Sequence, residues 1–170
     1  MLVVVRQEGS CVTTDEMVEL EGKEKTEFRG DCALLNYLGQ DRSDIQFATN
    51  QICRNMSRPT EEGKWKITRV TRYLVGAERV TWKYGMFEGE REKMRLDVHV
   101  DSDWAGGGAD RKSTSGGMVM LEGVGIKHWS RTQKTRALSS GEAEFYGLVT
   151  GCAEGLGIQA VAADMGYDVE

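Results

Sequence analysis

The chain has 170 residues, of which 39% are hydrophobic and 29% charged, and its formal net charge is −5. That length suffices for one domain with a real core, or one domain with a helical appendage, and no apolar run approaches the ~20 residues of a membrane span. The acidic balance argues against a generally basic nucleic-acid binder, so any such binding must come from local clusters.

At the start, Leu2 to Val5 is apolar but short, with no basic flank and no small-residue cleavage pattern. An intracellular chain is therefore expected, cytoplasmic or nuclear without distinction. Residues 1–27 hold no sustained period and carry Glu16, Glu19, Glu21, Glu24 and Glu27, which reads as a poorly ordered or edge segment. Three helices are expected next, in a helical segment over 28–92. The first runs from Phe28 to Tyr37 and stops near Gly39, and the second from Ile45 to Met56 with Asp44 as its cap. Pro59, the only proline, breaks the chain before a third helix from Thr60 to about Leu74. Around this third helix, from Arg54 to Lys83, basic residues including Arg69 and Arg72 outnumber acidic ones, so a phosphate-backbone contact competes with the plainer reading of a solvated face.

From residue 93 the pattern changes. Arg95 to Asp101 alternates Leu96, Val98 and Val100 with Asp97, His99 and Asp101, the period of a half-buried strand. Ser115 to Leu121 and Gly125 to Ser130 give two further runs, with Glu122-Gly123 as the turn between them. A three-strand antiparallel meander follows. Ser139-Ser140-Gly141-Glu142 has capping-box spacing and starts a helix whose Phe145, Leu148, Val149, Cys152 and Leu156 make one face, expected to bury against the meander. Gly147, Gly151 and Gly155 share a ridge of that helix and each costs about 1 kcal/mol relative to alanine unless close packing recovers it.

A strand-borne aspartate and a helix-borne glutamate brought together suit a hard divalent cation, which takes oxygen ligands and keeps several waters. Spacing alone does not choose Asp101 over Asp103, or Glu144 over Glu142. Arg111, Lys112, Lys127, His128, Arg131, Lys134 and Arg136 form a second basic cluster beside this pair, whose loops could grip a nucleic-acid backbone. Gly106 to Ser113 is a poor phosphate-binding loop, because Arg111 occupies the glycine place before Lys-Ser and no helix is indicated after it. The four tryptophans, Trp65, Trp82, Trp104 and Trp129, could stack bases but read first as core. Cys11, Cys32, Cys53 and Cys152 are too scattered for zinc spacing and read as reduced thiols.

The motifs Val100-Asp101-Ser102-Asp103-Trp104-Ala105-Gly106, Arg111 to Gly116, Trp129-Ser130 and Ala137 to Glu144 resemble the ribonuclease H domain of copia-type retrotransposon polyproteins. Upstream, Asn36-Tyr37-Leu38, Arg42-Ser43-Asp44-Ile45, Met56 to Thr60 and Arg72 to Gly76 resemble the connection between polymerase and ribonuclease H, with Ser43 where proline is usual. The likeness runs from about Phe28 to Gly166. It implies a truncated ribonuclease H-like α/β domain over 93–170, incomplete at its C-terminus, and a chemistry of metal-dependent cleavage of the RNA strand in RNA–DNA hybrids. It also implies Asp101 and Glu144 as the first two of four Mg²⁺ (or Mn²⁺) ligands, and nucleic-acid contacts from Arg69, Arg72, Arg111, Lys112, Arg131 and Lys134. The partners it implies are a hybrid or duplex and the polymerase and C-terminal ribonuclease H segments of the polyprotein, with no membrane. Two carboxylates in place of four predict a weak metal site and an inactive chain; the alternative is a non-catalytic nucleic-acid-binding or structural remnant.

Overall fold

The computed structural model describes residues 18–84, 93–106 and 110–170, and the chain divides into two compact units at Val80/Thr81 rather than at residues 92 and 93. Most of the acidic N-terminal segment, residues 1–17, lies outside the described residues, as does 85–92.

The first unit is three helices: α1 Gly22–Leu38, α2 Ser43–Cys53 and α3 Glu61–Gly76. Its core joins Leu20, Phe28, Cys32 and Leu35 to Ile45, Ile52, Ile67 and Val70. Helix α1 begins at Gly22, earlier than its apolar period indicates, and the residues before it are held too. Leu20 is buried, its N–H donates to the Pro59 carbonyl at 2.8 Å, and Glu61 N–H donates to Val18 O at 3.1 Å. So the stretch from Val18 to Glu27 is structured, contrary to the reading of a poorly ordered segment. The reason is a long-range backbone bridge, Glu19 to Thr60, which local periodicity cannot register. Helix α3 begins one residue after Thr60, which serves as its cap, Thr60 Oγ1 accepting the Gly63 N–H at 3.3 Å. Asp44 does not cap α2. It sits in that helix's first turn, and its carboxylate takes two bonds from the Arg42 guanidinium (2.9 and 2.7 Å) and one from the Tyr73 hydroxyl (2.9 Å).

The second unit is a meander, β1 Leu96–Asp103, β2 Thr114–Leu121 and β3 Val124–Thr132, with helix α4 Ser140–Asp164 across it. The sheet order is β1-β2-β3, antiparallel throughout, with a register shift at Val119/Met120. Glu122 and Gly123, both at positive φ (50° and 79°), make the two-residue turn, whose twist matches that of the strands it joins. On the outer side of β1, Asp168 to Glu170 run parallel to its start: Met94 N–H donates to Asp168 O, Glu170 N–H to Met94 O and Leu96 N–H to Glu170 O, at 2.8–2.9 Å. This is an α/β arrangement compatible with a truncated ribonuclease H-like fold.

The helix α4 packs by the opposite side from the one its large residues suggest. Ala143, Gly147, Gly151 and Gly155 are the buried positions, whereas Phe145, Leu148, Val149 and Leu156 are 51–65% exposed. The ridge wins because it lets the helix backbone descend onto two β-branched side chains. A Cβ at Gly151 would fall 2.4 Å from Val100 Cγ1, and one at Gly155 2.9 Å from Val98 Cγ2. Both distances are impossible for real carbon atoms.

Two substitutions of identical chemistry should therefore move stability in opposite directions. Gly157→Ala, where an added methyl meets nothing within 4 Å, should stabilise by up to about 1 kcal/mol through helix propensity. Gly151→Ala should destabilise by about 1–2 kcal/mol, since overpacking against Val100 outweighs the same propensity gain. Urea midpoints of the two variants check this; a stabilised Gly151→Ala would disprove the close approach.

Candidate metal and nucleic-acid site

Asp101 and Glu144 line one open cavity of about 450 Å³, together with Val100, Gly141, Phe145 and Leu148. Strand β1 supplies the aspartate. Val100 and Ser102 lie against α4, so the alternation of the strand turns Asp101 to the other face, where it is exposed at the sheet's outer edge. Asp101 Oδ1 accepts the Ser102 N–H at 2.8 Å. The two residues thus border the cavity from β1 and from α4.

Helix α4 supplies the glutamate, and its cap decides which one. Ser139 Oγ accepts the Glu142 N–H at 3.2 Å, and the Glu142 carboxylate reaches back to the Leu138 N–H at 2.7 Å while taking the Tyr146 hydroxyl at 2.9 Å. This is a capping box with its return bond one residue further upstream. It occupies Glu142. Glu144, exposed, makes no such bond among the described residues and faces the cavity. The Asp103 carboxylate lies against Gly106 in the turn after β1, where a Cβ would sit 1.8 Å from Oδ2. No group of three or more metal-ligating side chains occurs among the described residues.

The basic residues divide by their partners. In the first unit the acidic stretch from Glu19 to Glu27 neutralises part of the α3 cluster. Arg58 pairs with Glu19, Lys64 with Glu24 at 2.7 Å, and Lys66 with Glu62 at 2.7 Å. Arg69 and Arg72 remain exposed, the Arg69 guanidinium standing 4.7 Å over the half-exposed Trp65 ring. In the second unit Arg111 (φ 49°) and Lys134 are exposed, and the Lys112 N–H bonds to Asp110. Arg131 is drawn the other way, to Glu154 of α4 at 2.9 Å, where Lys127 joins it at 2.5 Å. Of the tryptophans only Trp129 is fully in the core, its ring against Gly117; Trp82 stacks on His128 at 6.1 Å and Trp104 donates to Ala137 O at 3.2 Å. Cys32 is buried beside Cys53, and burial pushes its thiol up to about 12; Cys152 is exposed, and Cys11 lies outside the described residues.

A meander crossed by a helix, with Asp101 on the first strand and Glu144 near the start of the helix, makes an α/β scaffold that carries its two candidate ligands on separate elements. Against known proteins, the chain is 35% identical over 141 residues to the retrovirus-related Pol polyprotein from transposon RE1 of Arabidopsis thaliana, covering 83% of this chain and 9% of that protein. It is 33% identical over 144 residues to the corresponding polyprotein from transposon RE2, covering 85% of this chain and 10% of the relative. It is also 32% identical over 116 residues to secreted RxLR effector protein 161 of Plasmopara viticola, covering 68% of this chain and 79% of that one. The chain belongs to the retrotransposon Pol polyprotein family and spans about a tenth of the length of those two polyproteins. No family model and no solved structure matches it.

The Lys127–Glu154–Arg131 triad yields a pH prediction. Glu154 is held below its ordinary value of 4.5, first by the Lys127 hydrogen bond and then by Arg131, against partial burial that pushes it up. A carboxylate depressed in the folded state stabilises fully above its unfolded value and loses that contribution as pH falls through the folded one. Stability should therefore drop more steeply as pH falls from about 5 through the depressed folded value in the parent chain than in Glu154→Gln, with the two falling in parallel from pH 7 to about 5, measured by urea midpoints. Curves parallel throughout would show that the triad contributes nothing acid-labile.

Proposed function

We propose that the second unit is the metal- and hybrid-binding part of a ribonuclease H, the activity being hydrolysis of the RNA strand in RNA–DNA hybrids. The observation that carries this reading is the convergence of Asp101 and Glu144, from separate elements, on one cavity. Two carboxylates are a ligand set suited in chemistry and number to a single Mg²⁺ or Mn²⁺ that keeps most of its waters, and are too few for a pair of ions. When bound, such an ion acidifies water and stabilises charge developing on a phosphate. The chain's own part is to present the two carboxylates to one cavity beside β1, with the apolar wall of Val100, Phe145 and Leu148 limiting water on one side. Arg111, Lys112 and Lys134 on the loops of this unit then grip the phosphate backbone. Arg69 and Arg72 supply a like surface on the first unit. Arg131 contributes through its salt-bridge-free nitrogens only.

With two acidic ligands the 170-residue chain binds the ion weakly and turns over little or not at all. A second reading, binding without turnover, is favoured by the lack of a third ligand among the described residues. Hybrid cleavage in Mg²⁺ and in Mn²⁺ separates the two. Little or no cleavage is expected from this chain, with any residual activity lost in Asp101→Asn and Glu144→Gln. Robust cleavage that Asp101→Asn abolishes would overturn the claim of an under-liganded site, and cleavage indifferent to both substitutions would remove the site itself. Hybrid binding should weaken steeply with salt, and Arg72→Ala should lower the salt slope by about one.

A further inference from the structure

Gln133, at the end of β3, is buried, and its amide ties three elements together. Nε2 donates to Ser115 Oγ in β2 at 2.7 Å and to the Ala143 carbonyl in the first turn of α4 at 2.8 Å, while its backbone N–H donates to Ser113 O at 2.8 Å. Gln133, Ser115 and Ala143 are 9%, 5% and 0% exposed. The amide has one workable orientation. Reversed, it would set Oε1 against a carbonyl that can only accept, and Oε1 as it stands is buried without a partner among the described residues.

The Ala143 carbonyl belongs to the peptide plane that carries Glu144. One turn on, Gly147 stands over the strand at the level of Asp101: a Cβ there would lie 3.6 Å from Ser115 Oγ and 3.8 Å from the Asp101 carbonyl oxygen. Ser115 Oγ is thus a common reference for both ends of the carboxylate pair. Beyond this point the helix meets β1 through Gly151 and Gly155, which have no side chains to interlock and so resist sliding or rotation of the helix poorly, and the next polar tie, Glu154 to Lys127 and Arg131, lies about three turns along. Apolar contact is non-directional, whereas two hydrogen bonds from one planar amide fix both distance and direction.

We infer that Gln133 is a positioning residue, setting the height and rotation of the first turn of α4 over β1 and so the separation of Asp101 and Glu144; this rests on the reading of that pair as metal ligands. The test uses the full 170-residue chain and Gln133→Met, which keeps the length of the side chain and removes both donors. Two quantities are read by NMR: amide hydrogen exchange at residues 143–147 against Val119 in β2, and the Mn²⁺ concentration that broadens the signals of Asp101 and Glu144. Exchange at 143–147 should rise about tenfold with Val119 unchanged, and the Mn²⁺ Kd should rise about tenfold. Ser115→Ala, which removes one acceptor and leaves Gln133 in place, should move both in the same direction by less, and it carries the comparison if Gln133→Met does not fold. A merely structural residue would loosen Val119 and 143–147 together and leave the Mn²⁺ affinity of the folded chain alone, which overturns the inference. If the parent chain shows no Asp101-dependent broadening, the metal reading fails and takes the inference with it; if the parent binds and the variants match it, the inference alone fails.

Discussion

The contact between the glycine ridge of α4 and Val98 and Val100 of β1 is the constraint from which the second unit's arrangement follows. With no Cβ at Gly151 or Gly155, the helix backbone settles directly on the strand's branched side chains. Each glycine costs the helix about 1 kcal/mol relative to alanine, and close packing of this kind is what offsets it. The same settling brings the first turn of α4 down to the level of Asp101, so Glu144 and Asp101 border one cavity. It also turns the small side of the helix to the sheet, and the large residues that do not face the sheet remain outside. The side of α4 bearing Phe145, Leu148, Val149 and Leu156 is consequently apolar and more than half exposed.

Polar groups then divide the work that packing leaves undone. Glu142 and Ser139 close the helix start, which consumes one carboxylate and leaves the next acidic residue, two positions on, to face the cavity. Near the middle of the helix Glu154 collects Lys127 and Arg131 from β3, a charged link between sheet and helix that the glycine contact lacks. Gln133 makes the neutral link at the helix start. Two of these three ties lie within the first turn, where a small rotation would move Glu144 most.

In the first unit the governing effect is charge pairing across sequence distance. The basic residues flanking and beginning α3 look like a binding face when read alone, but Glu19 and Glu24 fold back onto Arg58 and Lys64. Exposed pairs of this sort contribute little to stability, about 0–1 kcal/mol each, yet they remove the excess positive charge that a phosphate backbone would meet. What stays available is the later part of the helix, Arg69 and Arg72, with Trp65 stacked under the first of them.

The sequence by itself determined the elements that local chemistry specifies. The alternation of 95–101 gives the first strand, Glu122-Gly123 the hairpin turn, Pro59 the break before the third helix, and the capping-box spacing from Ser139 the start of the last. The motifs around Asp101 and Glu144 likewise carried the family. Tertiary structure alone decided the rest, because those outcomes depend on which distant groups meet. Periodicity places the bulky face of α4 inward, since it weighs residues by hydrophobicity; the fold places the glycines there, since a short backbone-to-strand distance is available only to them. Val18 to Glu27 has no period of its own and takes its order from Pro59 and Thr60. Glu142 and Glu144 are the same residue type two positions apart; the capping-box spacing marks Glu142 and the resemblance Glu144, and the tertiary structure adds the Leu138 N–H and the Tyr146 hydroxyl that occupy Glu142.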